Sequence, residues 1–407
     1  MQLTIWSGQG VNRDQKIRTS IINQYQIPYT QKTVQKDKID TNHINVLIIP
    51  ILSDFRDFKY ADYKSLIEQA VDKGIKVFLD YSWETVSISS VEWYKSGKGD
   101  ITDHVQHMID HGVRIISGKE GLIGCRIEKN NCVDTLYPLV IRFDLFKYET
   151  RVSSVQMYRE NRRWRLNTHY TSRKNKKYGF TALCGSVVKI QNALLFSGLH
   201  ANGLMTKKNY WTKLAFPRDW DIHGDWLIFE DKEWMVEEDI DLMGHLHKNK
   251  DIIFKQETFD SPHNHSFIPT HAERKIPQQY WDSHFSLTIE TCRGINFFTE
   301  KTYKPVSIGL PSLIFGAIRQ NEVFKDNYGY ELYDEIWDYS FEREENKFNM
   351  HRYITEYIDQ IKETCNDLSV FNQPSVIEKA EHNRELFEKS TCRRKLVEDL
   401  YELFDGD

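Results

Sequence analysis

Long apolar runs are missing from this sequence. The longest near its start, Val46 to Leu52, falls far short of the roughly 20 residues that span a bilayer, and the first residues carry no basic-then-apolar leader. Neither a membrane span nor an export signal is expected, and the chain reads as cytoplasmic. Cysteine is sparse as well: Cys125, Cys132, Cys184, Cys292, Cys365 and Cys392 are scattered without a C-x-x-C pair, which excludes a secreted disulfide scaffold and leaves them as free thiols. No repeat period and no low-complexity stretch is present, so fibrous and disordered classes are excluded. What remains is a chain of 407 residues, 40% apolar and 13% aromatic, long enough to bury a sizeable core and to form two domains.

Charge of one sign is also lacking overall, since 54 Lys and Arg face 59 Asp and Glu for a net −5. A polycation drawn to nucleic acid as a whole is thereby excluded. The distribution is uneven, however. Between Arg159 and Lys177 eight basic residues face Glu160 alone, a local +7 that leaves −12 for the rest. Trp164, Tyr170 and Tyr178 interleave this cluster, as aromatics do in polyanion binders. The stretch reads either as a double-stranded DNA contact through Arg162, Arg163 and Arg165, or as a solvated interdomain segment paired with the acidic remainder.

Patterning on either side of the cluster follows an α/β rhythm. Leu3 to Trp6 reads as a strand that ends in Ser7-Gly8-Gln9-Gly10. Ile44 to Ile51 reads as a strand covered on both faces, Tyr63 to Val71 as a helix, and Ile75 to Leu79 and Val113 to Ile116 as strands. A helix over Ile101 to His111 and a strand over Pro138 to Phe143 complete a first domain over 1–157. Residues 158–178 form the basic segment, and a second domain over 179–345 repeats the rhythm. Its elements are strands at Phe180 to Cys184, Leu287 to Glu290 and Ser312 to Phe315, with helices at Val188 to Leu199 and Thr299 to Ile308. From 346 to 407, apolar residues at helical spacing, among them Tyr353, Ile354, Tyr357, Ile358, Ile361, Leu386, Leu396 and Leu400, predict helices that pack back on the domains.

The stretch Ser286 to Gly316 carries the chemistry. A buried strand delivers Glu290 at its carboxyl end, Thr299-Glu300-Lys301 opens a helix, and Gly309-Leu310-Pro311 stops it. In an open α/β sheet ligands sit outside the carboxyl ends of the strands, and a helix N-terminus there favours an anion through free N–H groups. Glu300 and Lys301 would thus face a ligand. A carboxylate for ribose hydroxyls beside ammonium groups for a diphosphate suits a nucleotide sugar, and Lys304, three residues after Lys301, shares its helical face. The alternative is a helix cap with a solvated lysine.

The array Glu290, Asn296, Phe297, Phe298, Thr299, Glu300, Lys301, with Tyr303, Gly309 and Pro311 after it, resembles the nucleotide-sugar motif of α1,3-fucosyltransferases and, more loosely, that of exostosin-type glycosyltransferases. Phe180 to Glu342, with its Tyr330-Glu331-Leu332-Tyr333-Asp334-Glu335 element, also resembles glycosyltransferase-like proteins of tailed phages, which implies a viral origin. The resemblance implies a GT-B fold, two Rossmann-like domains facing a cleft, with the donor on the C-terminal domain, the acceptor on the N-terminal one, and no bound metal or cofactor. It implies ribose binding by Glu300, diphosphate binding by Lys301, and donor contacts by Glu290, Asn296 and Thr299. Thr291 stands where fucosyltransferases usually have Asn, which leaves UDP and GDP both open.

Other candidates are weaker. Gly185 and Lys189 occupy a strand-to-helix turn, where they would approach a diphosphate or simply form the turn. Inverting transfer needs a base for the acceptor hydroxyl. Asp80 and Glu84 follow an apolar strand and serve either that role or as helix caps. Gly8 and Gly10 would line the acceptor side or form a tight turn. His104, His107 and His111, with Asp103 and Asp110, share a helical stripe but lack the H-E-x-x-H pattern, so a wet helix face is favoured over a metal site. His245, His247, His263 and His265 read as loop residues. The expectation is a glycosyltransferase acting on a nucleoside diphosphate sugar, its acceptor a hydroxymethylated base in phage DNA or a glycan. Its rivals are a non-catalytic nucleic-acid-binding or virion-associated protein on the same scaffold, and a nucleotide-sugar epimerase.

Overall fold

A computed structural model describes residues 2–7, 27–50, 60–81, 110–117, 125–128, 131–134, 140–142, 147–148, 176–186, 190–215, 237–253, 276, 278–290, 296, 298–343, 345–346 and 349–405. The chain divides into two compact units, Met1–Glu149 together with Thr391–Asp407, and Thr150–Ser390.

In the first unit the strands are β1 (Gln2–Ser7), β2 (Tyr29–Thr33), β3 (His43–Pro50), β4 (Lys76–Tyr81), β5 (Val113–Ser117), β6 (Cys125–Glu128), β7 (Asn131–Asp134) and β8 (Val140–Arg142). Six of them form one sheet in the order β2-β1-β3-β4-β5-β8, every neighbouring pair parallel, while β6 and β7 pair antiparallel. Ile44, Val46 and Ile48 are buried on one face of β3 and Leu47 and Ile49 on the other. That is why this strand reads as apolar without alternation. Helix α1 (Tyr60–Asp72) precedes β4 as its spacing predicts. The chain leaves β1 for β2 on one side and returns to β3 on the other, so the order reverses at the β1/β3 boundary. The helix expected over Ile101 to His111 lies outside the described residues except for Asp110 and His111.

The second unit holds β9 (Tyr178–Ser186), α2 (Ile190–Ala201), β10 (Tyr210–Ala215), α3 (Glu237–Ile253), α4 (Gln278–Trp281), β11 (Ser283–Ile289), α5 (Glu300–Ser307), β12 (Ser312–Phe315), α6 (Gln320–Asp326), α7 (Met350–Asn366) and α8 (Pro374–Ser390). Its sheet runs β10-β9-β11-β12, all parallel, and reverses between β9 and β11. Both units are Rossmann-like α/β layers, followed by the helical C-terminal stretch that the spacing predicts. Tyr353, Ile354, Tyr357, Ile358 and Ile361 of α7 all enter the core beneath β11 and β12. His245 and His247, expected in a loop, lie instead in α3. There Leu242 and Leu246, one turn apart, pack on the core while charged neighbours mask the period.

The last helix, α9 (Arg393–Asp405), belongs to the first unit. Leu396, Leu400, Leu403 and Phe404 form its apolar stripe and pack against Leu3, Ile5, Val46 and Phe78, with the Phe78 and Phe404 rings 5.4 Å apart and edge-on. Tyr148 donates a hydrogen bond to Asp399 on the same helix.

Candidate functional site

Strand β11 is buried on both faces, yet only one face is apolar. Phe285, Leu287 and Ile289 enter the aromatic core, where the Phe285 ring stacks on Phe371 at 5.3 Å. Ser286, Thr288 and Glu290 alternate with them and form a buried polar row. Buried polar groups require partners. For Glu290, at the carboxyl end of the strand, the partners come from the start of α5.

Thr299 is the N-cap of α5. Its backbone N–H donates to Glu290 Oε1 at 2.9 Å and its hydroxyl to Glu290 Oε2 at 2.7 Å. The Thr302 hydroxyl donates to Oε1 at 2.6 Å. Thr299 Oγ1 in turn accepts from the Lys301 N–H at 3.3 Å and from Lys301 Nζ at 3.4 Å, and that ammonium lies 3.9 Å from Glu290 Oε2. Glu290 itself is 0% exposed, and its own N–H donates to Phe315 of β12 at 2.8 Å. The far end of α5 closes in a Schellman motif, with Gly309 N–H on the Val306 carbonyl and Leu310 N–H on that of Pro305. Gly309 has φ +72°, and a Cβ there would stand 3.2 Å from the Ala380 carbonyl oxygen, so glycine is required.

The charges are balanced at close range. Burial pushes the Glu290 carboxyl above its ordinary range, against the opposing pull of Lys301, Thr302 and the Thr299 N–H. Burial acts on half-buried Glu300 in the same sense, but Lys301 and Lys304 more than offset it and hold that carboxyl below its ordinary range. Lys304 is 9% exposed. Tyr280 of α4 closes this polar layer: its buried hydroxyl bonds to Ser286, and burial, with the carboxylates of Glu300 and Glu290, raises its pKa. No periodicity singled Tyr280 out, because its role depends on contacts between α4 and the α5 end of the sheet.

One expectation is corrected. The first-turn N–H groups of α5 are not free for an anion: Thr299 N–H is taken by Glu290, Lys301 N–H by the Thr299 hydroxyl, and Glu300 N–H bonds to its own carboxylate. A threonine N-cap and a carboxylate delivered by the strand satisfy them first. Positive charge at this edge is therefore supplied by the lysine side chains.

The fold brings Glu290, Thr299, Glu300, Lys301 and Lys304 together at the carboxyl edge of β11. Gly185 lies near the carboxyl end of β9, two residues beyond Leu183, which aligns with Thr288 of β11, and the strand order reverses between these two strands. Asn296 is half-buried in the intervening loop, its Oδ1 shielded from solvent with no hydrogen-bond partner among the described residues. Asp80 lies near the carboxyl end of β4 in the first unit, 6% exposed, between Pro50 and Ile116 on the neighbouring strands. Glu84, Gly8, Gly10, Lys189, Arg162, Arg163, Arg165, His104, His107, His263 and His265 lie outside the described residues. At the end of the basic stretch, Lys177 pairs with Asp282 at 3.7 Å, and Lys176 Nζ donates to the Trp281 carbonyl at 3.3 Å.

No protein-family model matches the chain, and no curated protein matches it. Among solved structures it is similar to a crystal structure of an α1,3-fucosyltransferase, at 11% identity over 100% of this chain and 91% of that one, TM-score 0.43. It is similar to an α1,3-fucosyltransferase with GDP, at 9% identity over 100% and 91%, TM-score 0.38. UDP-GlcNAc 2-epimerase from Neisseria meningitidis bound to UDP-GlcNAc is similar at 11% identity over 99% and 100%, TM-score 0.37. Among the described residues no helix is long and apolar enough to cross a membrane.

Proposed function

We propose that this protein is a glycosyltransferase that moves a sugar from a nucleoside diphosphate sugar to a hydroxyl acceptor. The observation that carries the reading is the packing of Glu300, Lys301 and Lys304 at the carboxyl edge of β11, at the reversal of strand order between β9 and β11. That is where an open parallel sheet receives a ligand. Glu300, held ionised by its two lysines, is an acceptor for ribose hydroxyls, and the ammonium groups suit a diphosphate. Asn296 Oδ1, without a hydrogen-bond partner among the described residues, is a further acceptor that a ligand donor would satisfy. Thr299 acts as the cap beneath these groups.

On this reading the second unit binds the donor and the first the acceptor, as in a GT-B enzyme. The reaction breaks the bond between the anomeric carbon and the diphosphate oxygen, forms one to the acceptor oxygen, and passes the hydroxyl proton to a carboxylate, for which Asp80 and Glu84 are the candidates. The outcome would be inversion, without metal or resident cofactor. Two acceptors fit this reading: a hydroxymethylated base in double-stranded DNA, which the basic residues Arg162, Arg163 and Arg165 favour, and a glycan, which the fucosyltransferase-like motif favours.

A thermal-shift screen against UDP, GDP and their sugar conjugates tests the proposal. One nucleotide should raise the melting temperature; Glu300→Ala should abolish that rise and Lys301→Ala should reduce it. No response to any of them, with salt-sensitive DNA binding lost on neutralising Arg162, Arg163 and Arg165, would replace the transferase with a non-catalytic nucleic-acid-binding protein. Consumption of donor without acceptor would identify an epimerase.

A further inference from the structure

We infer that Glu290 is a positioning residue of the donor pocket, which sets the start of α5 and the Lys301 ammonium without touching the donor; the inference rests on the nucleotide-sugar reading above. A residue that bound ribose would offer a free carboxylate oxygen. Glu290 offers none: it is 0% exposed, and its two oxygens accept three hydrogen bonds, all from Thr299 and Thr302. The Thr299 hydroxyl passes this constraint onward. It donates to Glu290 Oε2, and its oxygen is therefore presented to both the N–H and the Nζ of Lys301.

The chemistry explains why the position holds a carboxylate. All three groups that meet Glu290 are donors, so an acceptor on each side of the carboxyl is needed. A glutamine would turn an NH2 toward one of these donors. The cost would fall on the strand-to-helix junction, and the lysine resting on Thr299 would lose its fixed seat. An ammonium held at one place binds a diphosphate better than one free to sample its rotamers, because less ordering remains to be done on binding. Lys301, 21% exposed in its side chain, reaches solvent while Glu290 does not.

Isothermal titration of UDP or GDP, whichever stabilises the wild-type protein, into wild type, Glu290→Gln, Lys301→Ala and the double variant tests this. Glu290→Gln should weaken nucleotide affinity roughly tenfold. In the Lys301→Ala background it should cost less than twofold, since the two act as one unit. In turnover the donor KM should rise while the acceptor KM stays, and Glu290→Asp should restore part of the loss. A Glu290→Gln protein with a lowered melting temperature but wild-type affinity, or losses that multiply, would make Glu290 a stability element only and overturn the inference. Should Glu290→Gln not fold, Thr302→Val removes one of the donors and should weaken affinity roughly threefold; wild-type affinity in that variant overturns the inference equally. A wild type that binds neither nucleotide refutes the donor reading, and the positioning role with it.

Discussion

Glu342 grips Asn321 at both its backbone and its side chain. The Asn321 N–H donates to Oε2 at 2.9 Å and Nδ2 donates to Oε1 at 2.7 Å. Nδ2 also donates to the Ile314 carbonyl of β12 at 2.9 Å, and Oδ1 accepts from the Ile314 N–H, so one carboxylate ties the start of α6 to the edge of the sheet. Glu342 is buried, and burial, opposed by the bonds from Asn321 and Glu322, pushes its carboxyl up to about 8.

A pH dependence follows from that shift. Between about 4.5, the ordinary value, and about 8 the folded protein keeps a proton on Glu342 that the unfolded chain has lost. Stability from this group is complete at low pH and falls as pH rises through that window. Urea midpoints at pH 5 and pH 8 should differ more in wild type than in Glu342→Gln. Equal differences would place the slope elsewhere.

The paired histidines between α2 and α3 carry the opposite sign. His200 Nδ1 and His245 Nε2 are 2.8 Å apart, a hydrogen bond with room for one proton between them. Burial first, and then His245, lowers the pKa of His200 below the ordinary 6.5. As pH falls below 6.5 the unfolded chain takes up a proton that the native state resists, so stability declines. His245→Gln should lose less stability than wild type between pH 7 and pH 5, read from the same urea midpoints.

Phe404 tests the docking of α9. Its removal leaves a cavity against Phe78, and Phe404→Ala should cost about 3–5 kcal/mol. Hydrogen exchange should show the loss at the amides of β1 and β3, with those of β9 and β11 unchanged.

Much of the fold was legible because local signals agreed with tertiary demands. Ser312–Phe315 emerged as a strand with the expected ends, and the Thr299 cap and the Gly309 stop bounded α5 to within a residue. The role of Glu290 was not legible. Sequence spacing places a carboxylate near Thr299 but does not tell whether that carboxylate meets a ligand or the helix itself; only the register of β11 against β12 and the entry angle of α5 decide it. The same applies to α3. Its charged composition, Glu237-Glu238-Asp239, then Asp241 and Lys248, hides an apolar seam that matters only once α2 lies beside it. That α9 completes the first unit is likewise a matter of topology, since its leucine spacing would suit any apolar surface.

The first unit is built from two segments separated by the whole of the second, and this has a consequence in time. Residues up to Glu149 leave the ribosome long before Thr391 and the residues after it, whereas the second unit is continuous in sequence. At ~5–20 residues per second, roughly 20–80 s separate the synthesis of β1 from that of α9. Over that interval Leu3, Ile5, Val46 and Phe78 lack the helix that covers them in the finished molecule. The second unit can close before α9 is made, whereas the first waits for it, so a nascent chain would present its apolar sheet face to chaperones until that helix arrives.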